Sequence, residues 1–224
     1  SDKHFVETNM HKKKLIDLKI KKKNIIVVGA PALENVKKIN FLSREKLLKK
    51  YNIELKKDEK LIISTFHPET NEFFYENLNN LKILISFLKQ LNQTVIFTYP
   101  GADHGFNKFI KLLKKINSTK IFVFKNLGIQ EYYQFLKNSD LIIGNSSSGI
   151  IETGYFKIST IDIGNRQKGR VRNCNVLNSP FNLKELRATY KKIMTNNFRS
   201  KVRTLNDKYR LRMTSSKIIQ NIIK

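Results

Sequence analysis

The stretch LIIGNSSSGIIETGYFKISTIDIG, residues 141–164, decides the fold of this chain of 224 residues. Its first apolar run ends in GNSSSG, and a second apolar run, STIDIG (159–164), follows after a short segment with helical spacing. Strand, small-residue turn, helix and strand in this order are typical of a βαβ unit in a parallel sheet. The Ser-rich turn then lies at the carboxyl end of its strand, where open α/β sheets bind ligands.

Further apolar runs along the chain look like strands of the same kind. They do not alternate with polar residues, which indicates strands covered on both faces. Segments with helical spacing separate them, most clearly over residues 71–91. The predicted fold class is therefore α/β, with a doubly wound, Rossmann-like parallel sheet and right-handed crossovers. The predicted strands lie at residues 24–29, 60–66, 93–100, 120–127, 140–145 and 159–164.

Three segments are predicted along the chain. Residues 1–23 do not follow the rhythm of strand and helix, and we interpret them as the end of a preceding domain with its crossover segment. Residues 24–200 are expected to form the sheet domain. Residues 201–224 are expected to form a C-terminal helix, for which Thr214 or Ser215 is the predicted N-cap.

Composition narrows the class of protein. No apolar run reaches the length of about 20 residues that a membrane span needs, and the N-terminus lacks the apolar core of a signal peptide. The single Cys174 fits a reducing compartment. These features predict a cytoplasmic protein with no membrane partner.

The formal net charge of +25 is a feature of nucleic-acid-binding proteins. However, the lysines are spread along the whole chain, and no recognised nucleic-acid-binding pattern accompanies them. A phosphate-bearing small ligand is equally compatible with the charge. The sequence therefore argues against nucleic acid as the partner.

Candidate ligand-binding residues follow the strand that ends at Gly144. Backbone N–H groups at the start of a helix suit a phosphate, and Gly149 is expected to leave room for it. Glu152, one helical turn after the serines, can accept hydrogen bonds from the vicinal hydroxyls of a ribose, so the pattern predicts a nucleotide. An ordinary Ser cap with a first-turn Glu is the structural alternative. The candidate phosphate contacts are Ser146, Ser147 and Ser148.

Other strand ends add candidates. His67, held before Pro68 at the sheet edge, can protonate or stabilise a diphosphate leaving group. Arg166 and Arg170 can each pair with a phosphate through two hydrogen bonds. For each of the three, a solvated loop residue is the alternative. The chain has no Walker or GxGxxG fingerprint and its four His and one Cys show no ligand spacing, so neither a cofactor nor a metal is expected.

Four motifs together resemble a known family: HPET (67–70), YPGAD (99–103), GNSSSGIIE (144–152) and GNRQKGR (164–170). They are similar to the C-terminal half of the UDP-N-acetylglucosamine 2-epimerase family, most closely to its hydrolysing branch, over essentially the whole chain. The resemblance implies the second Rossmann-like domain of a GT-B arrangement. It also implies three partners: a UDP-sugar substrate, a missing N-terminal domain and, because the family is often oligomeric, further copies in a homo-oligomer.

The resemblance further implies a two-step reaction that serves the synthesis of sialic-acid-type sugars. UDP leaves C1 with loss of the C2 proton to give a glycal, and water then adds to give the C2-inverted free sugar. By position, His67 resembles the active-site His, Ser147 and Ser148 the diphosphate pair, Glu152 the ribose ligand and Arg166 a uridine-side contact. The family's proton-transferring carboxylates lie in the first domain, so the isolated chain is expected to be inactive.

Two positions depart from the family pattern: Gly101 replaces the usual Asn, and Glu34 replaces the usual Asp. Gly101 and Asp103 are nevertheless candidate ligand contacts at their strand end, and the substrate is expected to be UDP-N-acetylglucosamine or a diacetamido relative. Two alternatives stay open. One is a non-hydrolysing epimerase or GT-B glycosyltransferase, which HPET and GNRQKGR disfavour; the other is a non-catalytic protein that binds UDP-sugars or nucleic acid.

Overall fold

The main sheet is parallel throughout. The computed structural model describes residues 2–99, 106–116, 118–210 and 214–223. Within them, six strands form one sheet in the order β5-β4-β3-β6-β7-β8. The strands are β1 (His4–Val6), β2 (Ile25–Val27), β3 (Leu61–Thr65), β4 (Thr94–Thr98), β5 (Ile121–Phe124), β6 (Leu141–Gly144), β7 (Ser159–Ile163) and β8 (Val176–Ser179).

Helices connect these strands. None of the helices in the described part of the chain is long and apolar enough to cross a membrane. The sequence predicted the long helix over 71–91 and missed the eight-residue helix that begins at Asn196. The helices are α1 (Asn9–Asp17), α2 (Ala32–Val36), α3 (Arg44–Lys50), α4 (Phe74–Leu91), α5 (Phe106–Lys114), α6 (Gly128–Asn138), α7 (Ser148–Ile151), α8 (Thr153–Phe156), α9 (Leu183–Ile193), α10 (Asn196–Arg203) and α11 (Thr214–Ile222).

The strand order places a switch point between β3 and β6. The chain builds the sheet outward through β4 and β5 on one side, returns to β6 beside β3, and continues through β7 and β8 on the other. Loops that leave neighbouring strands in opposite directions open a crevice at the carboxyl ends, which is where such sheets bind ligands. The residues after Thr65 and after Gly144 therefore face one crevice, since these two residues pair across the sheet.

Hydrophobic cores cover both faces of the sheet, as the lack of alternation predicts. Ile62 belongs to the core under α4, together with Leu84 and Leu88 of that helix. The next residue, Ile63, belongs to the opposite core with Phe135 of α6. Successive side chains of one strand point to opposite faces, and here each meets apolar residues. The doubly wound arrangement is confirmed.

The strand predicted at 24–29 exists but pairs differently from the expectation. Ile25–Val27 (β2) is parallel to His4–Val6 (β1) in a separate two-stranded sheet, and in the described part of the chain it makes no pair with the six-stranded sheet. The first 23 residues also contain a strand and a helix. The apolar run NIIVVG shows that a buried strand forms, but apolarity alone does not select the neighbour.

The C-terminal helix α11 is hydrogen-bonded to the residue that follows β2 of this small sheet. The Thr214 hydroxyl donates to the carbonyl of Val28 at 2.6 Å. The Ser215 N–H lies 3.1 Å from both carboxylate oxygens of Glu34, and the Ser215 hydroxyl donates to the same carboxylate. The predicted cap by Thr214 or Ser215 is corrected, because α11 already begins at Thr214 and both residues lie inside the helix. The carboxylate that meets its first turn comes from α2.

We expect Glu34→Gln to destabilise the fold by about 0.5–1 kcal/mol, because a carboxylate at a helix N-terminus interacts favourably with its unpaired N–H groups. The hydrogen bonds from Ser215 lower the pKa of Glu34. This stabilisation is present above the ordinary pKa of 4.5 and is lost as the pH falls through the lowered value. Urea unfolding at pH 7 measures the difference. An unchanged midpoint would contradict the capping role.

Candidate functional site

A pocket of about 600 Å³ opens at the switch point. The carboxyl ends of β3, β4, β5 and β6 all contribute to its walls, and the loops after these strands supply many of its polar residues. His67, the three serines and Glu152, which the sequence selected separately, meet in this pocket. It is lined by Ala32, Thr65, His67, Thr98, Tyr99, Lys125, Asn126, Leu127, Gly128, Ile129, Tyr132, Tyr133, Ser146, Ser147, Ser148 and Glu152.

The turn after β6 can lie against β3 only because Gly144 has no side chain. A Cβ at Gly144 would stand 2.3 Å from the carbonyl oxygen of Thr65 on the neighbouring strand. The same close approach brings the Ser-rich turn to the end of β3, with the N–H of Asn145 donating to the Thr65 carbonyl at 3.2 Å. Backbone contact between the two strand ends thus fixes the floor of the pocket.

The segment after the turn is helical but interrupted. Helix α7 ends at Ile151 and α8 begins at Thr153, while Glu152 between them keeps right-handed helical angles (φ −94°, ψ −32°). The role predicted for Gly149 is corrected. A Cβ there would meet Thr160 Cγ2 at 3.0 Å on the sheet, so glycine permits helix–sheet packing, and Gly149 does not line the pocket.

Glu152 is held by hydroxyl groups from two elements. Tyr132 donates to Ser148 Oγ at 2.6 Å, and Ser148 in turn donates to Glu152 Oε2 at 2.6 Å. Burial raises the pKa of Glu152, against the hydrogen bonds from Ser148 and Tyr133, which lower it. Burial likewise raises the pKa of the Tyr132 and Tyr133 hydroxyls, so both stay protonated donors at neutral pH. The carboxylate is thus preoriented in the pocket wall.

His67 is placed by its backbone. Its N–H donates to Asn145 Oδ1 at 2.7 Å, and its carbonyl accepts from Asn145 Nδ2 at 2.7 Å. Asn145 is fully buried, whereas His67 is only partly buried and lines the pocket. The end of β3 and the turn after β6 are therefore joined by side-chain as well as backbone hydrogen bonds.

Arg166 and Arg170 do not share the pocket of His67. They line an adjacent cavity of about 780 Å³ between the HPET loop and the GNRQKGR loop. Ser147 lines both cavities. The structure thus brings the two arginines next to the Ser-rich turn but on its other side from Glu152.

Buried contacts hold the two loops of this second cavity together. The buried carboxylate of Glu69 accepts the N–H of Asn165 at 2.9 Å. A Cβ at Gly164 would stand 2.4 Å from the same carboxylate, and Gly164 has φ +77°, so glycine is required there for two reasons. The acid of HPET therefore positions the loop that carries the arginines.

Two predicted contacts, Gly101 and Asp103, lie outside the described residues. Conversely, the pocket contains a wall that the sequence analysis missed. This wall consists of residues 125–129, which follow β5, and of Tyr132 and Tyr133 in α6, which are half-buried and buried. The signal was available, because KNLG (125–128) forms the polar end of the strand predicted at 120–127 but was not counted among the strand ends.

Among the described residues no group of His, Cys, Asp and Glu could hold a metal ion.

The chain is similar in sequence to known proteins. The chain is 34% identical over 228 residues to the GDP/UDP-N,N'-diacetylbacillosamine 2-epimerase (hydrolyzing) of Campylobacter jejuni, a match covering 99% of this chain and 57% of that protein. It is 32% identical over 180 residues to polysialic acid biosynthesis protein P7 of Escherichia coli, covering 79% of this chain and 45% of the relative. This chain thus spans about half the length of both relatives.

Solved structures share the fold. The UDP-GlcNAc 2-epimerase of Neisseria meningitidis bound to UDP-GlcNAc superposes with a TM-score of 0.77 at 15% identity, covering 100% of this chain and 62% of that one. The Methanocaldococcus jannaschii enzyme in complex with UDP-GlcNAc and UDP gives 0.73 at 17% identity, covering 100% and 61%. The family model described as UDP-N-acetylglucosamine 2-epimerase matches residues 1–223. Since that match spans nearly the whole chain, the chain belongs to the UDP-N-acetylglucosamine 2-epimerase family.

Proposed function

We propose that this chain is the UDP-binding half of a hydrolysing nucleotide-sugar 2-epimerase. The observation that carries the proposal is the pocket at the switch point, where a Ser-rich turn and a preoriented, partly buried Glu152 face one space. Such a pair suits a phosphate beside a ribose. The relatives named as hydrolysing 2-epimerases support the reaction class.

The diphosphate is assigned to the Ser-rich turn. Because the Ser148 hydroxyl already donates to Glu152, backbone N–H groups and the hydroxyls of Ser146 and Ser147 are the donors for the phosphates. Ser147 also lines the neighbouring cavity, so Arg166 and Arg170 can reach the diphosphate and sugar from that side. This assignment replaces the uridine-side contact that the resemblance implied for Arg166.

The nucleoside is assigned to the opposite end of the pocket. The ribose hydroxyls donate to Glu152, and the base lies against the loop 125–129 after β5. In this loop Asn126 Oδ1 accepts the Gly128 N–H at 2.8 Å, and Gly128 has φ +66°, which gives the loop a tight turn with exposed backbone groups. Exposed backbone donors and acceptors suit the edge of a uracil ring.

The proposed reaction is elimination followed by hydration. In the first step the bond between C1 and the UDP oxygen breaks and C2 loses its proton, which leaves a C1–C2 double bond. His67 lines the same pocket as the Ser-rich turn. We therefore assign it to the diphosphate end, where it can donate a proton to the leaving oxygen. Water then supplies the C1 hydroxyl and a proton returns to C2 from the opposite face. The acid–base groups for C2 are assigned to the part of the protein that this chain lacks.

The small sheet supports a larger protein. Two strands alone are marginally stable in water, yet β1 and β2 form such a pair here. We therefore propose that an N-terminal domain extends this sheet and closes over the pocket. The domain boundary then lies after Val27, whereas the sequence placed it before Asn24. In this proposal residues 214–222 (α11) lie against the N-terminal domain. A homo-oligomer and a cytoplasmic location, to which the exposed thiol of Cys174 is suited, remain part of the proposal.

A titration with UDP tests the binding half of the proposal on this chain. UDP at about 100 times its Kd is expected to stabilise the fold by about 2.7 kcal/mol, seen as a rise in melting temperature. A rise in salt from about 50 to 200 mM is expected to leave this shift nearly unchanged, whereas binding through many backbone phosphates would weaken by about 1,000-fold or more. No shift with UDP, together with salt-sensitive binding to RNA or DNA, would contradict the proposal.

An assay of the full-length protein tests the reaction. With UDP-N-acetylglucosamine or its diacetamido relative we expect release of UDP and of the C2-inverted free sugar. The isolated chain is expected to release neither, because it lacks the groups that move the C2 proton. Formation of a C2-inverted sugar still attached to UDP would instead identify a non-hydrolysing epimerase, and transfer to an acceptor a glycosyltransferase.

A further inference from the structure

A chain of buried amides runs from the GNRQKGR loop to His67. Gln167, only 1% exposed, donates from Nε2 to the carbonyl of Asn145 at 2.9 Å. Asn145, fully buried, donates to the carbonyl of His67 and accepts its N–H, each at 2.7 Å. A loop that lines the second cavity is thereby connected to a residue that lines the first.

Only an amide can make the link at Asn145. It offers one acceptor and one donor on the same short side chain, and the backbone of His67 needs both. The two hydrogen bonds join positions 78 residues apart, at the switch point. Loss of either bond would leave the N–H or the carbonyl of His67 unpaired, which costs about 1–3 kcal/mol.

The Gln167 end of the chain is anchored independently of the pocket. Arg172 Nη2 approaches the carbonyl of Gln167 at 3.4 Å and also pairs with the buried carboxylate of Asp162 at 2.6 Å. Asp162 belongs to β7, so the anchor is the sheet itself. The amide of Gln167 is therefore held in place as the donor to the Asn145 carbonyl. The exposed Arg166 beside it makes only a longer contact with the same carbonyl, at 3.3 Å.

We propose that Gln167 is a positioning residue that acts through Asn145 to hold the His67 backbone at the diphosphate end of the pocket. The inference rests on the proposed function, in which His67 donates a proton to the leaving group. Gln167 touches no reacting atom in this scheme. Its effect is on the geometry of His67, and hence on kcat more than on the affinity for the nucleotide.

Gln167→Met is the decisive variant. Methionine has a similar length and removes the donor to Asn145, while the Gln167 Oε1 that is lost has no hydrogen-bond partner among the described residues. Arg166 still contacts the Asn145 carbonyl, so we expect the variant to fold. Gln134→Met is the matched control, since this buried glutamine bonds the loop near residues 40–42, away from the pocket.

Two measurements test the proposal. Hydrogen exchange of the His67 amide, followed in this chain, is expected to be about 10-fold faster in Gln167→Met and unchanged in Gln134→Met. In the full-length protein, kcat of Gln167→Met is expected to fall by about 10-fold while KM for the UDP-sugar stays within about twofold. A purely structural role would instead lower stability in both variants and leave kcat per folded molecule unchanged.

The outcomes separate the two proposals. Faster exchange with lower kcat at constant KM supports the positioning role. An unchanged exchange rate at His67, or unchanged kcat despite faster exchange, overturns it. If the full-length protein acts on neither UDP-sugar, the proposed function fails, and the exchange measurement on this chain still decides whether Gln167 holds His67.

Discussion

Replacing Glu152 by Gln is expected to weaken UDP binding by roughly 10- to 100-fold and at the same time to raise the melting temperature. Hydrogen bonds to a charged group contribute about 1.5–3 kcal/mol, and an amide offers one acceptor oxygen where the carboxylate offers two. The second ribose hydroxyl would then face an N–H group. Calorimetric titration with UDP measures the affinity, and thermal unfolding of the free chain measures the stability.

The gain in stability follows from the sign of the pKa shift. Burial raises the pKa of Glu152 above its ordinary value of 4.5. The stability that the folded chain gains from protonated Glu152 is fully present below pH 4.5 and is lost as the pH rises through the raised pKa. Ionised Glu152 therefore destabilises the free chain at neutral pH. A neutral amide avoids this loss. Under the proposed function, the carboxylate that binds the ribose therefore lowers the stability of the free chain.

Glu131→Gln is the matched control for Glu152→Gln. Glu131 pairs with Lys50 at 2.8 Å and also accepts from Tyr51, and the contact with Lys50 lowers its pKa. The same substitution there is expected to lower stability slightly and to leave UDP affinity unchanged, because Glu131 does not line the pocket. Equal UDP affinities for parent and Glu152→Gln would remove Glu152 from the ribose site.

Replacing Gly144 by Ala is expected to destabilise the fold by about 3 kcal/mol or more. The added Cβ would stand 2.3 Å from the carbonyl oxygen of Thr65, and that atom belongs to the backbone of the adjoining central strand. A backbone atom in the middle of a sheet cannot move aside as a flexible side chain would. The strands must separate at the switch point, which also widens the floor of the pocket.

Gly169→Ala separates this clash from the general effect of replacing a glycine. Gly169 has φ +84°, and a Cβ there would have no heavy atom of the described residues within 4 Å. Only the backbone conformation is penalised, by about 1–2 kcal/mol. Urea unfolding of both variants gives the comparison. If Gly144→Ala unfolded at the same urea concentration as Gly169→Ala, the close approach of β6 to β3 would not be the reason for glycine.

Gly144→Ala and Glu152→Gln both fall in the same stretch, LIIGNSSSGIIE (141–152). Gly144 determines where the Ser-rich turn lies, whereas Glu152 is the proposed ribose ligand beside that turn. Between them, the Asn145 side chain fixes His67 by two hydrogen bonds of 2.7 Å. A motif that reads as a phosphate turn is thus also the structural joint between two strands.

The sequence by itself determined the parallel sheet and the place of the site. Runs such as LIIG and STIDIG fix strands by local apolarity, and polar residues after them fix the binding edge, because all carboxyl ends of a parallel sheet lie together. His67, Ser146–Ser148 and Glu152 could therefore be assigned to one pocket before any contact was known. The loop 125–129 was equally predictable by this reasoning, had the end of its strand been counted.

Only the tertiary structure decided the partners of these elements. Apolarity gave β2 a strand but not its neighbour β1, and strand-end logic placed Arg166 near the site but not in a separate cavity. The cap of α11 by Glu34 and the link from Gln167 to His67 join residues far apart in the chain. Local patterns report which side chains become buried, whereas the direction of a buried hydrogen bond depends on which strands and loops pack together.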